Sequence, residues 1–142
     1  MSIEEKRAWS MGLVAIAAYA AYVVVLLGRA GSTPLADAAY APVMACTIAA
    51  AIAAGVVLHV VLDSTTPRSE RGTDERDREI GRFGDHTGQS FVVVGGVAAL
   101  VMAMAEVRHF WIANAVYLAF VLSAVLGSTA RVVAYRRGFQ PW

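Results

Sequence analysis

The side chains of this sequence that could do chemistry are three histidines and the charged residues beside them. His59 lies inside an apolar run, His86 lies near the end of a charged stretch, and His109 follows a short polar turn. Imidazole and carboxylate groups bind zinc or haem and act as general acids and bases. Their spacing decides which of these roles is open to them.

The spacing around these residues does not predict a metal or haem site. No second ligand stands at HxxxH or CxxC spacing from His59, so we expect its imidazole to donate to a backbone carbonyl or to lie among lipid headgroups. A haem or metal ligand at His59 is the alternative. Between Glu79 and His86, Arg82 would repel a cation and pair with the carboxylate. We therefore expect no cofactor.

Signatures of the common enzyme classes are absent from the sequence. It contains no GxSxG, no P-loop and no HExxH. Ser90 and Ser123 lie in apolar runs without a base. Glu106, Arg108 and His109 predict a local ion pair in a tight turn. We expect a protein that is not an enzyme.

The charged stretch from Thr73 to Gln89 predicts an amphipathic helix. At 100° per residue one side of this helix, hereafter the charged stripe, contains Glu75, Glu79, Arg82, His86 and Gln89. Thr73 can cap the helix, and Glu79 can pair with Arg82. Two interpretations of the stripe stay open, a solvated and self-paired face or a docking surface for a soluble partner.

The composition of the chain predicts a membrane protein. Of its 142 residues 58% are hydrophobic and only 16% are charged, more apolar surface than a soluble domain of this size can bury. We therefore expect the chain to be surrounded by membrane lipid. A net charge of +1 gives no reason to expect direct binding to nucleic acid, and the single cysteine, Cys46, is expected to be a small packing residue.

Four apolar runs divide the chain, which we interpret as a single transmembrane domain over residues 1–142. The predicted spans are about 10–28, 40–62, 89–105 and 110–131, with a cytoplasmic segment at 63–88. A cleaved signal peptide is the alternative for the first run, but Glu4 and Glu5 disfavour it. The predicted fold is an all-α membrane protein with four transmembrane helices in two in-out-in hairpins, and a cytoplasmic amphipathic helix leading into the third span.

The basic residues predict the orientation of these spans. With both termini on one side, ten of the twelve lysines and arginines lie on that side, and only Arg29 and Arg108 lie on the other. Cytoplasmic loops of membrane proteins carry this excess. We therefore expect a multi-pass protein of the cell (inner) membrane with both termini in the cytoplasm.

Small residues recur along three of the predicted spans at spacings that allow close helix packing. The candidates are Ala45, Ala49 and Ala53 on the second span, Gly95, Ala99 and Ala103 on the third, and Ser123 and Gly127 on the fourth. Close packing matters because lipid removes the hydrophobic drive for helix association. These residues predict contacts within the bundle or in a homo-oligomer.

Five segments together resemble a known group of proteins. They are EEKRAW at 4–9, DREI at 77–80, GQSFVVVGG at 88–96, FWIAN at 110–114 and YRRGF at 135–139. In this order they are similar to a family of small, uncharacterised, chiefly actinobacterial four-helix integral membrane proteins. Genes of that family often lie beside small helix-turn-helix regulators, so the resemblance implies a cytoplasmic helix-turn-helix regulator as a partner. It implies no catalytic or ligand-binding residue.

Two functions follow from these observations. The first is a membrane-bound interaction or signalling module whose charged stripe docks a soluble regulator. The second is an oligomeric channel or transporter for a small ion or solute, favoured by the small residues on the spans. Exposure of Glu75, Glu79 and Arg82 favours the first, and a continuous water-lined axis through an oligomer favours the second.

Cysteine labelling tests the predicted orientation. In a Cys46→Ala background, we expect Ser32→Cys to react with an impermeant maleimide in intact cells, and Ser69→Cys and Gln140→Cys to react only after permeabilisation, since only Ser32 lies on the side poor in basic residues. Labelling of Ser69→Cys in intact cells would contradict the orientation.

Overall fold

A computed structural model describes residues 3–65, Pro67 and 74–137, and this part of the chain is almost entirely helical. Its four long helices are α1 (Ile3–Ala30), α2 (Tyr40–Thr65), α3 (Glu75–Met104) and α4 (His109–Arg137). A short 3-10 turn, Leu35–Asp37, lies between α1 and α2. The described residues include no strand. The predicted all-α fold with four helices is confirmed.

All four helices are long and apolar enough to cross a membrane. They contain 26 to 30 residues, which at 1.5 Å per residue gives about 39 to 45 Å, against about 30 Å for the hydrocarbon core. Large apolar side chains such as Val24, Ile52 and Val94 are exposed on the outside of the bundle, as side chains that face lipid are. These are the features of a multi-pass membrane protein, and each helix is longer than the hydrocarbon core is thick.

Extensive packing joins the helices in the order α2, α1, α4, α3. The largest interface is between α3 and α4, followed by those of α1 with α4 and of α1 with α2. The two outer helices of this order, α2 and α3, share no comparable interface. A gap between α2 and α3 is therefore left on one side of the bundle.

An aromatic cluster joins α1, α2 and α4 in one half of the bundle. Its buried members include Tyr22, Phe110 and Tyr117, and the Tyr22 and Tyr117 rings meet edge to face with centroids 5.2 Å apart. The Tyr22 hydroxyl donates to Asn114 Oδ1 at 2.8 Å, and Asn114 Nδ2 donates to the Phe110 carbonyl at 2.8 Å. Polar groups within the apolar part of the bundle thereby have partners, as lipid surroundings demand.

Glycine brings α3 and α4 into backbone contact. A Cβ atom at Gly84 would lie 2.9 Å from the Gly127 carbonyl oxygen, and one at Gly88 would lie 2.9 Å from the Ser123 carbonyl oxygen. Farther along, a Cβ at Gly95 would overlap the Cβ of Ala119. Successively later residues of α3 thus contact successively earlier residues of α4, so the two helices run in opposite directions. We call these residues of α3 and α4 the glycine seam.

Only some of the small residues predicted to pack on the third and fourth spans lie in the glycine seam. Gly95 and Gly127 are buried in it and Ser123 contacts it, while Ala99 is half-buried and Ala103 is exposed. Gly84 and Gly88 were not among the predicted packing residues because they lie in the charged stretch, which was interpreted through its polar face.

The alanines of α2 do not pack within the bundle. Ala45, Ala49 and Ala53 are exposed, and Val43 is the buried residue of this helix. The reason is the packing order, because α2 lies at one end of it and its main contact is α1. The expectation that these alanines pack inside the bundle is wrong for the single chain, and contact between copies stays a prediction.

Paired glycine substitutions test the seam. We expect Gly95→Leu to destabilise the protein by about 1 to 3 kcal/mol, the usual cost of overpacking, because the new side chain must displace Ala119. Gly96→Leu is the matched control, since a Cβ there meets nothing within 4 Å. Unfolding in mild detergent measures both, and equal stability of the two variants would contradict the seam.

Candidate functional site

The charged stripe lies at the start of α3. The Asp74 side chain caps this helix by accepting a hydrogen bond from the Glu75 amide at 2.7 Å. The predicted cap, Thr73, lies outside the described residues, as do Arg68 and Arg71 of the preceding segment. From Glu75 the helix continues without a break to Met104. The stripe and the apolar part of α3 are therefore one rigid element.

Most of the charged stripe is exposed to solvent. Glu75, Arg82, His86 and Gln89 are exposed, and Glu79 is half-buried. The buried side of the same turns carries Ile80 and the glycines of the seam, which lie roughly opposite at 100° per residue. The five residues of the stripe thus share a surface that faces away from α4.

The predicted pairing within the stripe does not occur. Among residues 3–65 and 74–137, the ion pairs of the structure do not include one between Glu79 and Arg82. Exposed pairs of this kind contribute little, so solvent readily replaces them. The Glu79–Arg82 pair of the self-paired face is thus not formed, while the exposure of Glu75, Arg82 and His86 fits a solvated face as well as a docking surface.

Charges on the other side of α3 do have partners. Arg131 of α4 pairs with Asp85 of α3, and the Tyr135 hydroxyl donates to Asp77 Oδ1 at 3.0 Å. The Arg131 side chain lies over Gly84, where a Cβ would overlap it. These contacts hold the first turns of α3 to the last turns of α4.

The same end of the bundle, hereafter the charged end, also joins α1 to α4 and α2. Arg136 Nε donates to Glu5 Oε1 at 3.1 Å, and its guanidinium lies 5.9 Å from the centre of the Trp9 ring. Arg7 pairs with Glu4 at 2.7 Å and also with Asp63 of α2. Every helix therefore contributes charged side chains to this end.

His59 also belongs to the charged end. Its Nε2 lies 3.5 Å from Asp63 Oδ2, one turn along α2, and its side chain is 61% exposed. Within the described part of the chain, no group of three or more His, Cys, Asp or Glu side chains could hold a metal ion. His59 thus has a carboxylate neighbour, whereas the sequence suggested a backbone carbonyl or the lipid headgroups as its surroundings.

A cavity of about 420 Å³ opens at the charged end between the helices. Its polar lining consists of Glu4, Arg7, Ser10, His59, Asp77, Arg131 and Tyr135, and its apolar lining includes Met11, Val56 and Val60. Gly55 and Gly81 also line it, and a Cβ on either would meet nothing within 4 Å. We call this the charged-end cavity. Its size is that of a small-molecule site.

Two donors beside this cavity have no acceptor among the described residues. The Nε atoms of Arg7 and Arg131 are buried and have no hydrogen-bond partner among the described residues. A buried donor without an acceptor costs about 1 to 3 kcal/mol. The guanidinium groups are thus only partly satisfied by the carboxylates around them.

Sequence reasoning missed the charged-end cavity because its residues are far apart in the chain. Glu4, Asp77 and Tyr135 come from three helices, and only packing brings them together. The available signal was spacing: Asp77, Gly81 and Asp85 recur every four residues on α3, as Arg131 and Tyr135 do on α4. Two such rows on antiparallel helices can meet.

At the opposite end of the bundle the ion pairing also differs from the prediction. Arg108 does not form the expected local pair but pairs with Asp37, and its Nη2 also donates to the Ala36 carbonyl at 3.4 Å. Glu106 has a positive φ of 54°, which reverses the chain between α3 and α4. The contact ties this turn to the one between α1 and α2.

Comparison with known proteins gives no match. No family model, no curated protein and no solved structure is similar to the chain. The resemblance to the actinobacterial membrane proteins therefore stays a prediction.

Removal of one hydroxyl tests how the charged end is held together. We expect Tyr135→Phe to destabilise the protein by about 0.5 to 1.5 kcal/mol, because Asp77 loses a hydrogen bond. Tyr40→Phe serves as the control, since the Tyr40 ring packs edge to face on Phe110 and keeps that contact without its hydroxyl. Denaturant unfolding in detergent compares them, and a larger loss for Tyr40→Phe would argue against this role of Tyr135.

Proposed function

We propose that this protein is an interaction or signalling module of the cell membrane, in which the charged stripe docks a soluble regulator. In this proposal the helices form two in-out-in hairpins, with both termini and the segment between α2 and α3 in the cytoplasm. The excess of basic residues on that side supports the orientation. The first turns of α3 then form the amphipathic helix that leads into the third span.

The observation that carries the proposal is the continuity of α3. Its 30 residues extend for about 45 Å, so about ten residues are surplus to the span. If the surplus lies at the start of the helix, it is residues 75–84 and bears Glu75, Glu79 and Arg82 of the charged stripe. A stripe on a helix already held by the bundle loses little conformational entropy on binding, which favours affinity.

The charges of the stripe support a partner of mixed charge. Glu75 and Glu79 are acidic and Arg82 is basic. A fixed order of charges along a helix selects a partner with the complementary order and steers its approach. A helix-turn-helix regulator, implied by the resemblance, is the partner that we propose.

The exposed face of α2 favours the alternative function, an oligomeric channel or transporter. Ala45, Ala49 and Ala53 are exposed there, and their small side chains would let a helix of a second copy approach closely. In this alternative the conducting path would run between copies.

A double charge reversal tests docking. We expect Glu75→Lys with Arg82→Glu, which leaves the net charge unchanged, to abolish capture of the regulator from cells while altering stability by less than about 0.5 kcal/mol. Both side chains are exposed, so folding does not depend on them. Mass spectrometry of proteins captured in mild detergent measures the loss.

The matched control is Lys6→Glu, an exposed charge change on α1 at the same end of the bundle. It should capture the same regulator as the unmodified protein. If the double reversal captures the regulator equally well, the stripe is not the docking surface. If Ala49→Leu instead dissociates an oligomer and abolishes ion flux in vesicles, the channel or transporter replaces docking as the proposed function.

A further inference from the structure

We propose that the charged-end cavity binds the headgroup of a phospholipid from the adjacent leaflet, and that this headgroup is phosphoethanolamine. Its phosphate would lie at Arg7 and Arg131, and its ammonium group at Glu4 and Asp77. This site is separate from the charged stripe and does not depend on the docking proposal.

The position of the cavity is that of a lipid headgroup. The cavity lies where charged residues give way to apolar runs, at Ser10 and Met11 on α1 and at Val56 and His59 on α2. Among the described residues α2 and α3 share no extensive interface, so the side of the bundle between them is where we propose that lipid reaches the cavity. Basic side chains in pockets between transmembrane helices bind lipid headgroups.

The two arginines favour a phosphate. Arg7 uses its terminal nitrogens for Glu4 and Asp63, and Arg131 uses Nη2 for Asp85, while the Nε–H group of each has no acceptor among the described residues. Because these Nε atoms are buried, a ligand reaches them only if each guanidinium turns within the cavity and exchanges part of its present carboxylate contacts for the ligand. Phosphate oxygens are strong acceptors for arginine, so binding would remove the cost of the unsatisfied donors.

The carboxylates in the lining favour a headgroup that also carries a positive charge. Glu4 and Asp77 line the cavity with Arg7 and Arg131, and Asp63 and Asp85 pair with these two arginines, so four carboxylates stand against two guanidinium groups. A purely anionic headgroup would meet this excess of like charge. A primary ammonium group can donate hydrogen bonds to the carboxylates, whereas the quaternary ammonium of choline has no N–H to donate.

The apolar lining distinguishes a lipid from a free headgroup. Met11, Val56 and Val60 line the cavity, and the two valines are also more than half exposed on the outer surface of α2. This surface continues from the cavity toward the apolar part of the bundle. Acyl chains can follow it, so the apolar contacts add to the polar ones.

The experiment compares lipids of one chain type on the full-length protein in detergent. Dioleoyl phosphatidylethanolamine, phosphatidylcholine and phosphatidylglycerol are titrated separately, and soluble phosphoethanolamine is added as a fourth ligand. We expect the phosphatidylethanolamine dissociation constant, measured by native mass spectrometry, to be about tenfold lower than that of the other lipids. Equal affinity for all three lipids would overturn the proposal, as would preference for phosphatidylglycerol or equal binding of soluble phosphoethanolamine.

Variants that fill the cavity test its location without removing any charge. Gly55→Leu and Gly81→Leu place a side chain in open space within the cavity and should weaken phosphatidylethanolamine binding by tenfold or more. Gly28→Leu and Gly96→Leu are the matched controls, because they add the same side chain to open space elsewhere and should bind as the unmodified protein does. Unchanged binding by both cavity variants, or equal weakening in the controls, would overturn the proposal.

Discussion

The backbone contact between α3 and α4 is the interaction on which the other features of this protein depend. In lipid, apolar side chains gain little by leaving one apolar environment for another, so helices associate through close van der Waals packing. The glycine seam provides this packing at Gly84, Gly88 and Gly127, where the backbone atoms of one helix occupy the space that a side chain of the other would need. It fixes both the distance and the register of the two helices.

That register organises the charged end. With Gly84 against Gly127, Asp85 comes beside Arg131 and Asp77 beside Tyr135, and these contacts complete one wall of the charged-end cavity. The other wall comes from α1 and α2, which Arg7 of α1 joins through its pair with Asp63 of α2. Since the charged stripe lies on the outer side of α3, a ligand in the cavity and a partner on the stripe would meet different faces of one helix.

Much of the fold could be predicted from the sequence because the signals are local. Four apolar runs of adequate length give four helices, and small residues such as Gly95 and Gly127 indicate close packing wherever they occur. The order in which helices pack is not a local property. For this reason the alanines of α2 were expected at an interface that the single chain does not form, and the partners of Arg108 and Arg131, both distant in sequence, were not foreseen.

The difference between the two faces of α3 separates charges that stabilise the fold from charges available for recognition. Asp77 is half-buried and accepts a hydrogen bond from Tyr135 of α4, so loss of that contact leaves a half-enclosed polar group. Asp85 pairs with Arg131 of α4 but is itself exposed, and exposed ion pairs contribute only about 0 to 1 kcal/mol. Packing between α3 and α4 therefore accounts for Asp77, while Glu75 and Arg82 lie on the exposed side of the same rigid helix in a fixed order. In the proposed function that order of charges is what a complementary surface recognises.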